Sequence, residues 1–275
     1  MTGPIPILAY HRLDDARLST STAPHIFHRH MRWLSRHGWR SLSLDEFEFY
    51  ATRASRFPSK SFLLTFDDGY RSIATEGLPI LKEFNFHAVC FAATCSLQEA
   101  SEGEAPRAWE TGDYLSWAQA KALQETGLVD FQSHSHKHRR LHEQSESDLV
   151  LDLRASIDLL STKLALPKTH FRHLAWPWGD STDQSRRIAT QCGFKFQYTV
   201  AREAFQHASS LEHIPRTCYD GASYADFQIQ FWLQSGPLSK PWHALYRVAR
   251  QLRQGGNIQT YSDAFNGPSE SVHRR

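Results

Sequence analysis

The feature that most constrains this chain is a series of short apolar runs spaced along its length, separated by longer segments of helical period. The candidate strands are Ile5–Tyr10, Phe62–Phe66, Ala88–Ala92, Leu128–Gln132, His173–Trp176, Phe196–Val200 and Glu212–Ile214. Most are apolar on consecutive rather than alternate residues, as when helices cover both faces of a parallel sheet. Between them, Ser145-Glu-Ser-Asp148 reads as a helix start, and Leu149, Leu153, Ile157, Leu160 and Leu164 then form one apolar face. Further helices are expected from Ser116 to Glu125 before Gly127, and from about Thr182 to Gly193. Seven strands with intervening helices favour an incomplete or distorted (β/α) barrel over an open sheet; periodicity leaves closure undecided.

At 275 residues, with no repeat and no Pro/Gly-rich linker, the chain reads as one domain over residues 1–256, with a tail over 257–275. A net charge of +2 gives no reason to expect capture of nucleic acid. The N-terminus has no positively charged leader and runs directly into a strand, and no apolar run approaches a membrane span; a cytoplasmic location is expected. Cys90, Cys95, Cys192 and Cys218 show no C-x-x-C pairing and are expected to be buried apolar residues. A basic amphipathic helix is expected over Pro241–Arg253, with Arg247, Arg250 and Arg253 together. It is expected to pack Trp242, Leu245 and Leu252 on the domain, with peripheral contact to an anionic membrane surface as the alternative.

Chemistry concentrates where two strands end. Ser61-Phe-Leu-Leu-Thr-Phe-Asp-Asp-Gly-Tyr70 carries adjacent carboxylates, Asp67 and Asp68, to the carboxyl end of a strand, where barrel folds place active sites. Adjacent like charges need a cation or donor, and a metal ion would let one carboxylate ligate while its neighbour stays free as a base. A turn capping the next helix is an equal reading of Asp-Asp-Gly alone. Leu128-Val-Asp-Phe-Gln-Ser-His-Ser-His-Lys-His138 is a second strand, running into a histidine cluster. His134 and His138 lie four apart, so on a helical first turn they share a face; a solvated basic turn is the alternative. Together, Asp68, His134 and His138 make an Asp-His-His set with positions left for water and substrate, as in catalytic zinc sites. Cobalt, nickel and manganese ions suit the same donors.

Thr65-Phe-Asp-Asp-Gly69 and His134-Ser-His-Lys-His138, in this order and each after a strand, resemble the two signature motifs of the polysaccharide deacetylase family, carbohydrate esterase family four with its NodB-homology domain. The resemblance runs from about Ile5 to Arg216. It implies a distorted (β/α)7 barrel, Asp67 as the catalytic base that activates a metal-bound water, and Asp68, His134 and His138 as the ligands. Ala175-Trp-Pro-Trp-Gly179 stands where the family has an aromatic-Pro-Tyr-Gly segment, with Trp178 replacing the tyrosine whose backbone N–H holds the oxyanion. Trp176 and Trp178 are expected to wall the site, with core filling as the alternative, and Gly179 and Tyr70 are counted beside them as substrate contacts.

The family's late histidine acid has only a loose counterpart in His213. Ile7-Leu-Ala-Tyr-His11-Arg12 instead resembles the Tyr-His segment that supplies this acid in a circularly permuted subset including exopolysaccharide deacetylases, and His11 is preferred. The arginine usual before the third motif is absent, although Arg172 lies nearby. Arg216, in an Ile-Pro-Arg segment at the end of the last candidate strand, is expected to orient or balance Asp67, with a surface arginine as the alternative. The implied activity is removal of N-acetyl groups from an N-acetylhexosamine glycan or a lipid-linked saccharide precursor. The alternatives are an O-acetyl esterase, a ureide or imide amidohydrolase, or a non-catalytic glycan-binding module.

Overall fold

The structure is a computed structural model that describes residues 4–53, 56–97, 114–140, 144–206 and 210–236, and seven further residues in a helical stretch between 239 and 248. Seven parallel strands close on themselves: β1 (Ile7–Tyr10), β2 (Ser61–Asp68), β3 (Ala88–Ala92), β4 (Val129–Ser133), β5 (His173–Ala175), β6 (Phe196–Val200) and β7 (Ile214–Cys218). Closure comes from β1, which pairs with β2 through Ile7 to Leu63 and Tyr10 to Phe66, and with β7 through Leu8 to Thr217 and Ala9 to Cys218. An extra two-residue strand, Arg40–Ser41, pairs with the start of β2. The fold is thus the distorted (β/α)7 barrel implied by the motifs, and closure is settled by the β1 pairings.

Alternation along each strand sorts the side chains into two cores. Ile7, Leu63, Val89, Phe91, Ala175, Phe196, Tyr198 and Ile214 fill the barrel with Leu44, Phe47 and Ala51 of helix α2 (Leu44–Thr52), which closes the N-terminal end. Leu8, Leu64, Phe66, Cys90, Phe131 and Leu174 face outward beneath the helices. There α1 (Pro24–Arg36), α3 (Leu78–Phe84), α4 (Trp117–Glu125), α5 (Glu146–Leu164), α6 (Asp183–Gln191) and α7 (Tyr224–Ser235) bury their apolar faces. The expected face of α5 is buried in full, and the Ser145 hydroxyl caps the helix by accepting from Asp148 N–H.

Several sequence expectations need correction. The last strand spans Ile214–Cys218, so Arg216 sits within it and His213 precedes it. Of the cysteines, only Cys90 is buried; Cys95 is exposed and the other two are intermediate. In the helical stretch after α7 the Trp242 indole donates to the Arg202 carbonyl, but Leu245 is 65% exposed and does not pack on the domain. Leu252, Arg247, Arg250, Arg253 and the 257–275 tail lie outside the described side chains. Among the described residues, no helix is long and apolar enough to cross a membrane.

Candidate active site

The C-terminal rim of the barrel gathers the two motifs. Asp68 ends β2, and its Oδ1 lies 3.4 Å from His134 Nε2 and 3.3 Å from His138 Nε2, while the two histidine nitrogens are 3.2 Å apart. His134 Nδ1 is 2.7 Å from the Ala175 carbonyl, to which it donates. That bond fixes the tautomer and leaves Nε2 presenting a lone pair to the cluster. Burial pulls the His134 pKa down to about 4, outweighing the Asp67 carboxylate that favours the charged form, so the ring is neutral near pH 7. Asp68 Oδ1 is buried without a hydrogen-bond partner. A cation among these three atoms would satisfy what no proton does, so the donor set fits a divalent metal ion.

The loop that presents the histidines is not the helical turn expected from their spacing. Ser135 and His138 both adopt left-handed conformations, with φ of 65° and 50°. The loop is pinned from α5: the buried Asp152 carboxylate accepts from His136 N–H at 3.0 Å and Lys137 N–H at 2.9 Å. His136 points away, its Nδ1 2.9 Å from the Thr94 hydroxyl. Asp68 (φ 68°) and Trp178 (φ 62°) are also left-handed. Each such non-glycine residue costs about 1–2 kcal/mol, and held strain of this kind collects at working sites.

Asp67 stands beside the ligand set and outside it. Arg216 clasps it through two parallel bonds, Nη1 to Oδ1 at 2.6 Å and Nη2 to Oδ2 at 2.8 Å. Nη1 also donates to Thr65 Oγ1 at 3.1 Å, and the fully buried guanidinium lies over the Phe91 ring. Burial alone would raise the Asp67 pKa, but Arg216 foremost, with His134 and His11, holds it well below the usual carboxylate range. Arg216 is therefore no surface arginine. Arg172 is elsewhere, at the opposite rim, bound to Glu48 at 2.7 Å.

Across the cluster, His11 Nε2 is 3.9 Å from Asp67 Oδ2. The register explains the proximity: Tyr10 pairs with Phe66, so the next residues of β1 and β2, His11 and Asp67, are neighbours. His11 Nδ1 is bound to Asp220 Oδ2 at 2.5 Å. Burial lowers the His11 pKa, but the Asp220 carboxylate overrides it and carries the value well above the ordinary 6.5. Asp220 is in turn held by His11 N–H at 3.1 Å, by the Thr22 hydroxyl at 3.3 Å and by the Cys218 thiol at 3.1 Å. Sequence reasoning missed Asp220 because the expected strand stopped at Ile214, whereas the strand runs to Cys218 and brings Asp220 to the rim. His213 precedes β7 and so lies at the barrel's N-terminal end, away from this rim.

The two tryptophans part company. Trp178 is 51% exposed, its ring 5.4 Å from that of His138, with the Arg140 guanidinium 4.2 Å over its face. Trp176 is buried in the outer core, its indole N–H donating to Gln197 at 3.1 Å, and cannot wall the site. Gly179 meets a packing requirement: with φ of 70°, it lies where a Cβ would come within 2.6 Å of the Val200 nitrogen. Tyr70 stacks on Tyr114 at 4.8 Å beneath Arg12, next to the metal set. Burial and then the Asp68 charge push its hydroxyl pKa up, so it stays protonated.

Residues 54–197 match the model of the polysaccharide deacetylase family, and the chain belongs to that family. Among its relatives are poly-beta-1,6-N-acetyl-D-glucosamine N-deacetylases of Staphylococcus aureus (strain MRSA252) and Staphylococcus epidermidis, each 27% identical over 195 residues, which is 69% of this chain. That stretch is 64% and 65% of their own lengths, so the chain spans less than two thirds of these curated relatives. The fold is shared with the Streptococcus pyogenes deacetylase PplD in complex with acetate (TM-score 0.71, 22% identity, 84% of this chain and 99% of that one). It is also shared with IcaB from Ammonifex degensii (TM-score 0.69, 23% identity, 85% of this chain and 98% of that one).

Proposed function

We propose that this chain is a metal-dependent N-deacetylase acting on a polymer of N-acetylhexosamine, with β-1,6-linked N-acetylglucosamine as the first candidate from the named activity of its relatives. One observation carries the reading: Asp67, clasped by Arg216, and His11, bound to Asp220, lie 3.9 Å apart beside the Asp68–His134–His138 donor set. A ligand-binding module needs a pocket, but has no use for a free base opposite a protonated acid.

In this mechanism Asp68, His134 and His138 hold the ion, which when bound supplies Lewis acidity toward water and the acetamide carbonyl. Asp67 Oδ2 accepts the proton of the attacking water, and Arg216 keeps that carboxylate ionised and aimed. As the water oxygen bonds to the carbonyl carbon and the carbon–nitrogen bond breaks, His11 gives its Nε2 proton to the departing nitrogen. Asp220 makes this possible by binding Nδ1, which turns Nε2 toward the reaction and holds the ring charged near neutral pH. The main-chain N–H of Trp178 is the proposed oxyanion donor, and its exposed indole the platform for a sugar face.

The test is acetate release from β-1,6-linked and β-1,4-linked N-acetylglucosamine oligomers, acetylated xylan and a cyclic ureide, with metal-loaded and chelator-stripped protein. Metal-dependent release from the N-acetylated oligomers is expected. Turnover of only the ester or the ureide, or turnover that survives chelation, would overturn the proposal.

A further inference from the structure

His11, Cys218 and Asp220 form a second compact donor group on the same rim, separate from the Asp68 set: imidazole nitrogen, thiol sulfur and carboxylate oxygen all lie within 4.8 Å of one another. Two strand ends build it, since β1 and β7 pair Ala9 with Cys218 and so bring His11 and Asp220 beyond them together. Asp220 Oδ1 is committed to His11 N–H and the Thr22 hydroxyl. Its Oδ2 is the shared atom, 2.5 Å from His11 Nδ1 and 3.1 Å from Cys218 Sγ. In a tetrahedral zinc site, metal–ligand bonds of about 2.0–2.3 Å put neighbouring donors roughly 3.3–3.6 Å apart. The group therefore has to open by only about 1 Å to take an ion.

We propose that this trio is an inhibitory site for a thiophilic divalent ion such as zinc or cadmium. Its sulfur makes it softer than the all-N/O Asp68 set, so the two sites would rank metals differently. The exchange balances simply. The ion forms bonds to Nδ1, Sγ and Oδ2, and two protons leave: the one between His11 Nδ1 and Asp220, and the one on the Cys218 thiol. His11 keeps its Nε2 proton but loses the positive charge that makes it an acid, so turnover falls as the site fills. Ion binding stands on this geometry alone; the inhibition rests on the role given to His11 above.

The test uses the full chain with one equivalent of metal already bound, titrated with Co2+ as the probe. A thiolate-to-cobalt charge-transfer absorption should grow in with a second equivalent. Cys218→Ser keeps a hydroxyl to donate to Asp220 but lacks the soft donor; it should lose that absorption and bind the second ion at least tenfold more weakly. Cys218→Ala serves as a second variant, with thermal melting to show that both fold. Asp68→Asn should lose the first equivalent and keep the absorption, which separates the two sites. Surplus Zn2+ should inhibit the unmodified protein and inhibit Cys218→Ser at least tenfold less strongly. The proposal is overturned if no charge-transfer absorption appears, if it survives in Cys218→Ser, or if zinc inhibits both proteins equally. An absorption that behaves as expected in a protein that deacetylates none of the glycans would instead overturn the function proposed above.

Discussion

Each rim of the barrel holds a histidine bound to a carboxylate, partly buried at His11 and fully buried at His173, and desolvation opposes the charged form of both, yet the two shift in opposite directions. At the C-terminal rim, His11 on Asp220 is raised well above its ordinary value. At the N-terminal rim, His173 binds Glu48 at 2.7 Å and is nevertheless lowered, burial outweighing the carboxylate. Burial is the larger cause at His173, and a smaller contrast lies in what else each carboxylate serves. Glu48 also pairs with the Arg172 guanidinium, a cation that disfavours a second positive charge nearby. Besides His11, Asp220 accepts from neutral donors among the described residues, and its charge raises the His11 value. His173 also has the Tyr198 hydroxyl on Nδ1 and lies flat on Phe196, 4.3 Å between ring centroids. One pair favours the charged ring, the other the neutral one.

The contrast predicts that substitutions at the C-terminal rim remove chemistry and leave the fold, whereas those at the N-terminal rim do the reverse. The largest effect is expected from Asp67→Asn, which should lower kcat by about 10²–10⁴-fold while bound metal, measured by elemental analysis, is unchanged. Unchanged turnover would remove Asp67 as the base. Next comes Asp220→Asn, read from the pH profile of kcat/KM. His11 must be protonated to act, so activity in the unmodified protein should persist above the ordinary histidine range and fall as pH rises through the raised His11 value. Without the Asp220 charge, burial loses its main opponent and that alkaline limb should move down; a limb that stays put would mean another group is the acid.

The same linkage bears on stability. The Asp220–His11 contribution is full below the ordinary histidine pKa and is lost as pH rises through the elevated one. His173→Ala should instead cost about 2–4 kcal/mol in denaturant unfolding, because it empties a buried ring site and strips partners from Tyr198 and Glu48, with kcat little changed. A large kcat loss there, with stability intact, would erase the distinction between the rims. The smallest effect is expected from Trp178→Ala: KM for an oligosaccharide should rise by about tenfold or less, as loss of about 1 kcal/mol of stacking implies, with a melting temperature close to that of the unmodified protein.

How much of this was legible before the fold is clearest at particular residues. The seven strands and the two motifs could be read because burial on both faces leaves a run of apolar side chains that ends abruptly where the chain meets the rim. Trp176 was misread although strand parity identifies it: Ala175 faces into the barrel, so its neighbour must face out. The histidine loop was misread because a spacing of four suits a helix, whereas left-handed bends pinned by Asp152 achieve the same convergence. Arg216 was placed in the right neighbourhood, but its burial against Asp67 was not readable, since nothing local marks an arginine that points into a barrel.

By itself the sequence determined which donors stand at the ends of β2 and β4, because both motifs depend on neighbours close along the chain; it did not determine where β7 ends. Tertiary structure alone decided that the barrel closes, that His11 and Arg216 meet Asp67, and that Asp220 meets His11. Arg216 lies 149 residues from Asp67, and Asp220 lies 209 residues from His11. Only the closing pairs of β1, with β2 on one side and β7 on the other, bring those groups to one rim. The charge of a buried histidine depends on which carboxylate it meets and on what else that carboxylate holds. Those facts exist only once the chain has folded.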